Sequence, residues 1–304
     1  MALKIFGHRS PDTDATASAI VWSWYLNQQG VESKPYVLGT PNTEALFVLK
    51  HWGFEVPEIL TSVSAQDEVV IVDTNNPDEL FENINECNIT QIIDHHKLVG
   101  GLETAGPIDI TIKPLASTAS VMYLILGSEE VEDLPNEIAG LMLSCIISDT
   151  LEFRSPTTTE DDKMMAEHLA FKLGIDITEY ATKMFEAKSD ISAFSDEELI
   201  KMDSKKYEAS GNKYRVSVLE TTSPNIVLDR KDAILLAMEA IKVKEGLDEV
   251  LLFVVDILKE ESTLFVPNDV VKQVAESKFN ATVTSDLVVL PGVVSRKKQI
   301  IPVL

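Results

Sequence analysis

The chain has 304 residues, of which 45% are hydrophobic, and this supplies enough apolar surface for two domains of ordinary size. Its 49 acidic residues outnumber 26 basic ones, and the net charge of −23 argues against nucleic acids and anionic membranes as partners. Two cysteines without C-x-x-C spacing argue against a disulfide framework or thiolate zinc site, and they favour a reducing cytoplasmic compartment. The N-terminus lacks the pattern of a signal peptide, and the longest apolar run, residues 138–147, is too short to span a bilayer. We therefore expect a soluble protein.

The first half of the chain alternates short apolar runs with segments of helical length. This alternation predicts an α/β domain built from parallel βαβ units with both faces of the sheet covered. The predicted strands are 3–6, 34–39, 67–74 and 89–94, and the predicted helices are 15–30, 42–53, 76–83, 117–127 and 135–148.

Hydrophobic periodicity lapses between residues 187 and 196, and a second pattern follows. It predicts a smaller α/β domain around a mixed sheet, with strands at 213–220, 248–256, 262–266 and 286–290 and helices at 196–202, 231–246 and 268–279. We therefore predict an N-terminal domain at 1–188, a linker at 189–195 and a C-terminal domain at 196–304.

The segment "GHRSPDTDA" places His8, Asp12 and Asp14 between the first predicted strand and the first predicted helix. In an open parallel sheet, this carboxyl end of a strand is where ligands bind. An aspartate at a helix start often only caps free backbone N–H groups, and for Asp14 alone capping is the better explanation. The close grouping of an imidazole with two carboxylates nevertheless favours a metal site.

Three further segments end apolar runs with possible ligands. Asp73 follows "VVIV", and it would face the same crevice as His8 if both strands belong to one parallel sheet. His95 and His96 follow Asp94; if the strand continued, the two rings would point to opposite sides, which favours one metal ligand and one residue that acts on substrate. Asp94 could orient an imidazole. Asp149 follows a strongly apolar helix, where a buried carboxylate needs a partner.

Basic residues are concentrated near the C-terminus in a chain that is otherwise acidic. Arg296, Lys297 and Lys298 are consecutive and lie between apolar runs, as expected for a folded element, and Lys205 and Lys206 form a second basic pair. His51 and His168 lie in helical patterns, and we expect them to be structural.

The candidate ligands are too numerous for one ion and fit two ions that share a carboxylate: His8, Asp12, Asp14, Asp73, His95 and Asp149. Two metals about 3.5–4 Å apart can convert a bridging water to hydroxide and stabilise in-line attack on phosphorus. Arg and Lys would then hold the leaving phosphate. Mixed oxygen and nitrogen ligands suit Mn²⁺, Co²⁺ or Mg²⁺.

With these residues in view, the sequence closely resembles the family II inorganic pyrophosphatases of the DHH phosphoesterase superfamily. The resemblance covers essentially the whole chain and rests on these segments: "GHRSPDTDA", "LGTPN", "VDTNN", "DHH", "EIAGLMLSCIISDT", "SPTTTEDD" and "SRKKQ". It implies an N-terminal parallel-sheet DHH domain that binds metal, a smaller C-terminal domain that clamps substrate, and an active site in the cleft between them. It also implies pyrophosphate as substrate and a homodimer formed through the N-terminal domain.

The resemblance also implies a role for each matching residue. His8 and Asp12 would bind the first of two Mn²⁺ ions, Asp14, His95 and Asp149 would bind the second, and Asp73 would bridge both. Co²⁺ is a possible substitute, and Mg²⁺ is expected as an additional ion bound to the substrate. His96 would contact the substrate and donate a proton, so His96 and Asp73 are the expected catalytic residues. Lys205, Arg296 and Lys297 would bind phosphate oxygens; the family pattern Asp-x-Lys before an aromatic residue favours Lys205 over Lys206.

Two positions depart from the family pattern: Ser10 stands where Asn is common, and Thr16 where a larger apolar residue is usual. Two other functions are less consistent with the sequence. A DHH-type phosphodiesterase or short-RNA exonuclease would carry a glycine-rich, histidine-containing motif in the second domain, which is not found in the sequence. A non-catalytic metal-binding scaffold is disfavoured by the complete set of ligands.

Overall fold

The computed structural model describes residues 2–209 and 211–304, with the side chain of Lys297 left out. The chain divides into two compact units, Met1–Lys188 and Ser189–Leu304. Within the described residues, no helix combines the length and apolarity needed to cross a bilayer.

The first unit is built on six parallel strands, in the spatial order β3-β2-β1-β4-β5-β6. The strands are β1 (Leu3–Phe6), β2 (Ser33–Val37), β3 (Glu58–Ile59), β4 (Glu68–Val72), β5 (Asn88–Asp94) and β6 (Asp109–Ile112). The chain runs outward from β1 to β3 and then returns to β4 on the other side of β1. This reversal opens a crevice at the carboxyl ends of β1 and β4, which is the usual ligand position in such sheets.

The described residues of this unit form seven α-helices: α1 (Thr13–Gln28), α2 (Thr43–Trp52), α3 (Thr118–Leu126), α4 (Ser128–Glu132), α5 (Asn136–Thr150), α6 (Glu160–Leu173) and α7 (Ile177–Lys188). Helix α1 contacts β1 and β2, α3 contacts β5, and α5 packs on α1. Strand residues such as Phe6 and Ile71 form an apolar core with Leu80 and Ile84 from the connecting segments. Burial on both faces explains why the strands read as nearly continuous apolar runs.

The second unit holds a five-stranded sheet in the order β11-β10-β9-β8-β7. Its strands are β7 (Ser204–Ala209), β8 (Asn212–Thr221), β9 (Glu249–Asp256), β10 (Glu261–Phe265) and β11 (Leu287–Pro291). Its helices are α8 (Asp196–Met202), α9 (Asn225–Leu228), α10 (Lys231–Glu245) and α11 (Asp269–Phe279). Among the strands of the described residues 189–209 and 211–304, only β8 and β9 pair in parallel, so the sheet is mixed. Separate apolar cores cover its two faces.

The predicted fold class is confirmed: a parallel sheet is followed by a smaller mixed one. The predicted helix at 76–83 is wrong, because only a single 3-10 turn forms at Pro77–Glu79 before Leu80 returns to an extended conformation. Strands β3, β6 and β7 and helices α4, α7 and α9 were not predicted, and of α6 only the helical pattern around His168 was recognised. The two short or polar edge strands β3 and β7 lack the apolar run that marked the central strands.

Thr16 of α1 is fully buried, and its hydroxyl has no hydrogen-bond partner within the described residues. Because burying an unpaired hydroxyl is unfavourable, Thr16→Val should stabilise the protein by about 1 kcal/mol, or raise its melting temperature by about 2–4 °C. Calorimetry of the metal-free protein would measure the shift. Thr221→Val is the matched control: that buried hydroxyl donates to Ser189 Oγ and accepts from the Ser223 amide, so its loss should destabilise. A lower melting temperature for Thr16→Val would contradict the prediction.

Candidate metal centre

The candidate ligands of the first unit gather at the carboxyl ends of three neighbouring strands. His8 follows β1 by two residues, Asp73 directly follows β4, and His95 directly follows β5. Because β1 pairs with β4 and β4 with β5, the three loops lie side by side. The crevice predicted from the sequence therefore contains these residues.

Asp73 lies at the centre of the group and is buried. Its Oδ2 is 3.4 Å from His8 Nε2, whereas its Oδ1 is 3.3 Å from His95 Nε2 and accepts a hydrogen bond from Thr118 Oγ1 at 3.1 Å. The backbone of Asp73 has φ = 59°, a left-handed conformation that aspartate tolerates at some energetic cost. Each carboxylate oxygen thus faces a different histidine, so this carboxylate could bridge two cations.

Helix α1 brings two aspartates to the centre in different ways. Asp12 caps the helix, because its Oδ1 accepts from the Ala15 amide at 3.0 Å while its Oδ2 lies 3.6 Å from His8 Nε2. Asp14 is buried and accepts from Ser18 Oγ at 2.9 Å and from the Thr118 amide at 2.6 Å. The capping that the sequence suggested for Asp14 is therefore performed by Asp12.

The two adjacent histidines lie on the same side of the chain. Strand β5 ends at Asp94, whose Oδ1 accepts from the amides of both His95 and His96 and turns the chain. The rings of the two histidines are 4.2 Å apart. Because the strand does not continue past Asp94, the condition for opposite orientations is not met. His95 Nδ1 lies 3.1 Å from the Leu115 carbonyl, and His96 Nδ1 lies 2.9 Å from Asp94 Oδ1.

Asp149 lies within the last turn of α5 rather than after it, and it completes the cluster. Its Oδ2 is buried without a hydrogen-bond partner among the described residues. Possible ligand atoms lie within 4.8 Å of one another in three overlapping groups: His8, Asp12 and Asp73; Asp14, His95 and Asp149; and Asp73, His95 and His96. Buried carboxylates with an unpaired oxygen beside two imidazoles fit divalent cations.

The ionisation of these groups reflects burial opposed by close partners. Burial alone would lower the pKa of His8, but hydrogen bonds and attraction from Asp12 and Asp73 outweigh it and raise the pKa to about 10. Burial would likewise lower the pKa of His95, but Asp73 and Asp14 raise it to about 9. Burial and repulsion by Asp73 raise the pKa of Asp14 to about 6, and burial with repulsion by Asp14 also raises the pKa of Asp149. Without metal, the site therefore holds protons.

Sequence reasoning missed the residues that support the ligands. Ser117 caps α3 by accepting from the Ala119 amide, and the start of that helix directs the Thr118 amide at Asp14. Asp162 is fully buried and accepts from the Ala116 amide and from Ser120 Oγ, which fixes the same segment. The Ser-Thr pair before an apolar run is the usual signal of a helix start, and it could have located this support.

Three further residues singled out in the sequence are Ser10, His51 and His168. Ser10 lines an open pocket of about 420 Å³ beside His8 and His96. His51 packs against the rings of Phe47, Trp52 and Tyr180, whereas His168 lies beside Tyr123 and Glu132; neither belongs to the metal-ligand groups.

The basic residues of the second unit lie in ordered elements. Arg296 begins a short π-helical turn, Arg296–Ile300, and its guanidinium contacts Asp203 Oδ1 at 2.7 Å and the Asp203 carbonyl at 2.7 Å. Lys205 is exposed on β7 and makes no ion pair among the described residues, whereas Lys206 Nζ is 2.9 Å from Glu245. The side chain of Lys297 lies outside the part of the chain that the structure describes.

Cation binding should release protons, because a histidine binds metal only in its neutral form. A histidine with a raised pKa stabilises the fold fully below about pH 6.5, and this contribution is lost as the pH rises through its raised value. Because the pKa values of His8 and His95 are raised to about 10 and about 9, both rings are protonated near neutral pH in the metal-free protein. At pH 7.5, Mn²⁺ should displace at least two protons, one from each ring, together with any proton that Asp149 holds.

Titration calorimetry in two buffers of different ionisation enthalpy would count these protons. His51→Asn should release as many protons as the unmodified chain, because burial lowers the pKa of His51 and the ring lies outside the cluster. Binding of Mn²⁺ without proton release would contradict the ionisation described here.

Comparisons with known proteins identify the family of the chain. Residues 3–146 match the model of the DHH family, N-terminal domain, and residues 182–304 match the DHHA2 domain. A protein of Lactobacillus johnsonii named "Probable manganese-dependent inorganic pyrophosphatase" is 39% identical over 302 residues, which cover 99% of this chain and 96% of that relative. A protein of the same name from Deinococcus radiodurans is 38% identical over 307 residues, covering 99% of this chain and 97% of that relative.

Solved structures give the same result. The crystal structure of a Methanococcus jannaschii "putative family II inorganic pyrophosphatase" covers 99% of this chain and 97% of its own, with 37% identity and a TM-score of 0.62. An exopolyphosphatase-related protein from Bacteroides fragilis, 16% identical, covers 98% of this chain and 89% of its own with a TM-score of 0.52, and this likeness concerns the fold alone. The chain belongs to the manganese-dependent, or family II, inorganic pyrophosphatases.

Proposed function

We propose that this chain hydrolyses inorganic pyrophosphate to two orthophosphates at a centre that holds two Mn²⁺ ions. The observation that carries the proposal is the position of Asp73, whose two carboxylate oxygens face His8 and His95 separately. Two bound divalent cations supply Lewis-acid activation of water and neutralise the charge that develops on phosphate. The names of the relatives support Mn²⁺, Co²⁺ would fit the same ligands, and Mg²⁺ would accompany the substrate.

In this proposal each ion has its own ligands and shares Asp73 with the other. His8 and Asp12 hold one ion, and Asp14, His95 and Asp149 hold the other. Two of the three ligand groups within 4.8 Å share no residue with each other and support this division. The metal-binding role belongs to residues 1–188, phosphate binding belongs to 196–304, and 189–195 link them.

His96 is the proposed proton donor to the departing phosphate. The hydrogen bond that His96 Nδ1 donates to Asp94 Oδ1 fixes the ring and outweighs the effect of burial, so the pKa of His96 is raised and the ring keeps its proton at higher pH. About half of the side chain is exposed, beside the open pocket, so it is accessible to a substrate. A positioned imidazolium of this kind suits general-acid catalysis.

Lys205, Arg296 and Lys297 are the proposed phosphate-binding residues. Asp203 anchors the guanidinium of Arg296, as expected for a side chain that must present a fixed fork to phosphate oxygens. The strand alternation of β7 places Lys205 on the face of Tyr207, whereas Lys206 lies on the other face against Glu245. This difference supports Lys205 as the lysine that binds phosphate.

The direct test measures phosphate release from pyrophosphate by the purified chain with Mn²⁺ present. Turnover of pyrophosphate, with no cleavage of a dinucleotide, is the expected result. No turnover by the folded, Mn²⁺-loaded protein would overturn the proposal. Preferential cleavage of the dinucleotide would instead identify a phosphodiesterase.

Lys205→Met should lower kcat/KM for pyrophosphate by about 10- to 100-fold, because one charged hydrogen bond to phosphate is lost. Lys206→Met is the matched control and should stay within about twofold of the unmodified chain, since Glu245 retains Arg215 and Lys201 as partners. Steady-state kinetics with Mn²⁺ would compare them. Equal losses in both variants would contradict the assignment of Lys205.

We also propose that the chain forms a homodimer through its first unit and acts in the cytoplasm. Strand β6 lies at the edge of the sheet and exposes 53% of Ile110, and Leu98 and Val99 nearby are 74% and 51% exposed. An open, apolar sheet edge readily pairs with another strand. Two buried cysteines without a disulfide suit a reducing compartment.

Ile110→Lys should weaken the dimer by at least about tenfold, because a charge at the sheet edge opposes pairing. Val270→Lys changes a residue of similar exposure, 52%, on α11 of the second unit and should leave association unchanged. Analytical ultracentrifugation over a range of concentrations would measure both. A monomeric unmodified chain, or equal effects of the two substitutions, would contradict the proposed interface.

A further inference from the structure

Glu44, in the first turn of α2, is a fully buried carboxylate that the proposed chemistry does not use. Its Oε2 accepts hydrogen bonds from Thr13 Oγ1 at 3.0 Å and Ser148 Oγ at 2.7 Å. Thr13 stands between Asp12 and Asp14, and Ser148 directly precedes Asp149. One carboxylate thus connects the ligand-bearing ends of α1 and α5.

The same oxygen is 3.2 Å from Lys188 Nζ. Lys188 is the last residue of α7 and of the first unit, and its backbone carbonyl also accepts from Thr43 Oγ1 at 3.5 Å. The end of the first unit is therefore attached at two points to the start of α2.

The position of the Glu44 carboxylate depends on its ion pair with Lys188. Its Oε1 is buried without a hydrogen-bond partner among the described residues, so the partners of the carboxylate are concentrated on Oε2. Of these partners, only Lys188 carries a charge. A buried charge that loses its ionic partner is strongly destabilised where it lies. Without Lys188, the carboxylate should shift and loosen its hold on Thr13 and Ser148.

We propose that Glu44 is a positioning residue that couples Lys188, at the junction of the two units, to the metal ligands. The inference rests on the proposed two-metal function. Asp14, Asp73 and Asp149 repel one another in the metal-free protein, and the hydrogen bonds to Glu44 keep α1 and α5 in the arrangement that a cation requires. Binding of metal and attachment of the junction then strengthen each other, because such coupling is reciprocal.

A purely electrostatic effect of Lys188 predicts the opposite change in Mn²⁺ affinity. Removing a lysine near a cation site reduces repulsion and should tighten metal binding. The proposed coupling predicts that removing Lys188 weakens binding, because the ligands become less well ordered. The sign of the change therefore separates positioning from long-range charge.

The experiment measures the Mn²⁺ dissociation constant of the metal-free full chain by titration calorimetry. Lys188→Met should weaken binding by at least about fivefold. Lys183→Met is the matched control on the same helix, because Lys183 pairs with exposed Glu179, and it should bind as the unmodified chain does. Glu44→Gln should also weaken Mn²⁺ binding. The double variant, Lys188→Met with Glu44→Gln, should bind no more weakly than the weaker of the two single variants, because the two residues act through the same contact.

Amide exchange supplies a readout that does not depend on turnover. Mn²⁺ should slow exchange in the last turn of α7 in the unmodified chain and in Lys183→Met, but not in Lys188→Met. Unchanged or tighter Mn²⁺ binding in Lys188→Met would overturn the coupling. No Mn²⁺ binding by the unmodified chain would instead overturn the proposed function, so the two failures are distinguishable.

Discussion

Repulsion among buried carboxylates is the constraint on which the first unit depends. Asp14 and Asp73 are buried at the carboxyl edge of the sheet, and Asp149 offers a ligand atom within 4.8 Å of one from Asp14. Without cations, protonation and the two imidazoles that lie against Asp73, those of His8 and His95, offset part of this repulsion. The metal-free site therefore carries an energetic cost that bound cations relieve.

Hydrogen bonds from neighbouring segments hold the residues of this cluster in place. The start of α3 supplies the Thr118 amide to Asp14 and its hydroxyl to Asp73, and Asp162 fixes the segment before it. Glu44 joins α1 to α5 from the opposite side. These contacts orient ligands before metal binds, and such supporting contacts determine the affinity and geometry of metal sites.

Much of the fold and most candidate ligands could be predicted because both have a local signal. Buried strands read as apolar runs, and Asp73 and His95 end two of them. The supporting residues Glu44 and Asp162 could not be predicted, because each acts through partners more than thirty residues away and reads locally as a polar residue at a helix start. The turn after Asp94 was missed for a related reason: a side chain, and not the strand pattern, redirects His95 and His96.

The central claim is that two cations share Asp73. Paramagnetic resonance of the chain loaded with Mn²⁺ tests it most directly, because two ions bridged by one carboxylate are close enough for their electron spins to couple. The account predicts two Mn²⁺ per chain with a spin-coupled spectrum, and loss of that coupling in Asp73→Ala. A single bound ion, or two ions with independent spectra in the unmodified chain, would contradict it.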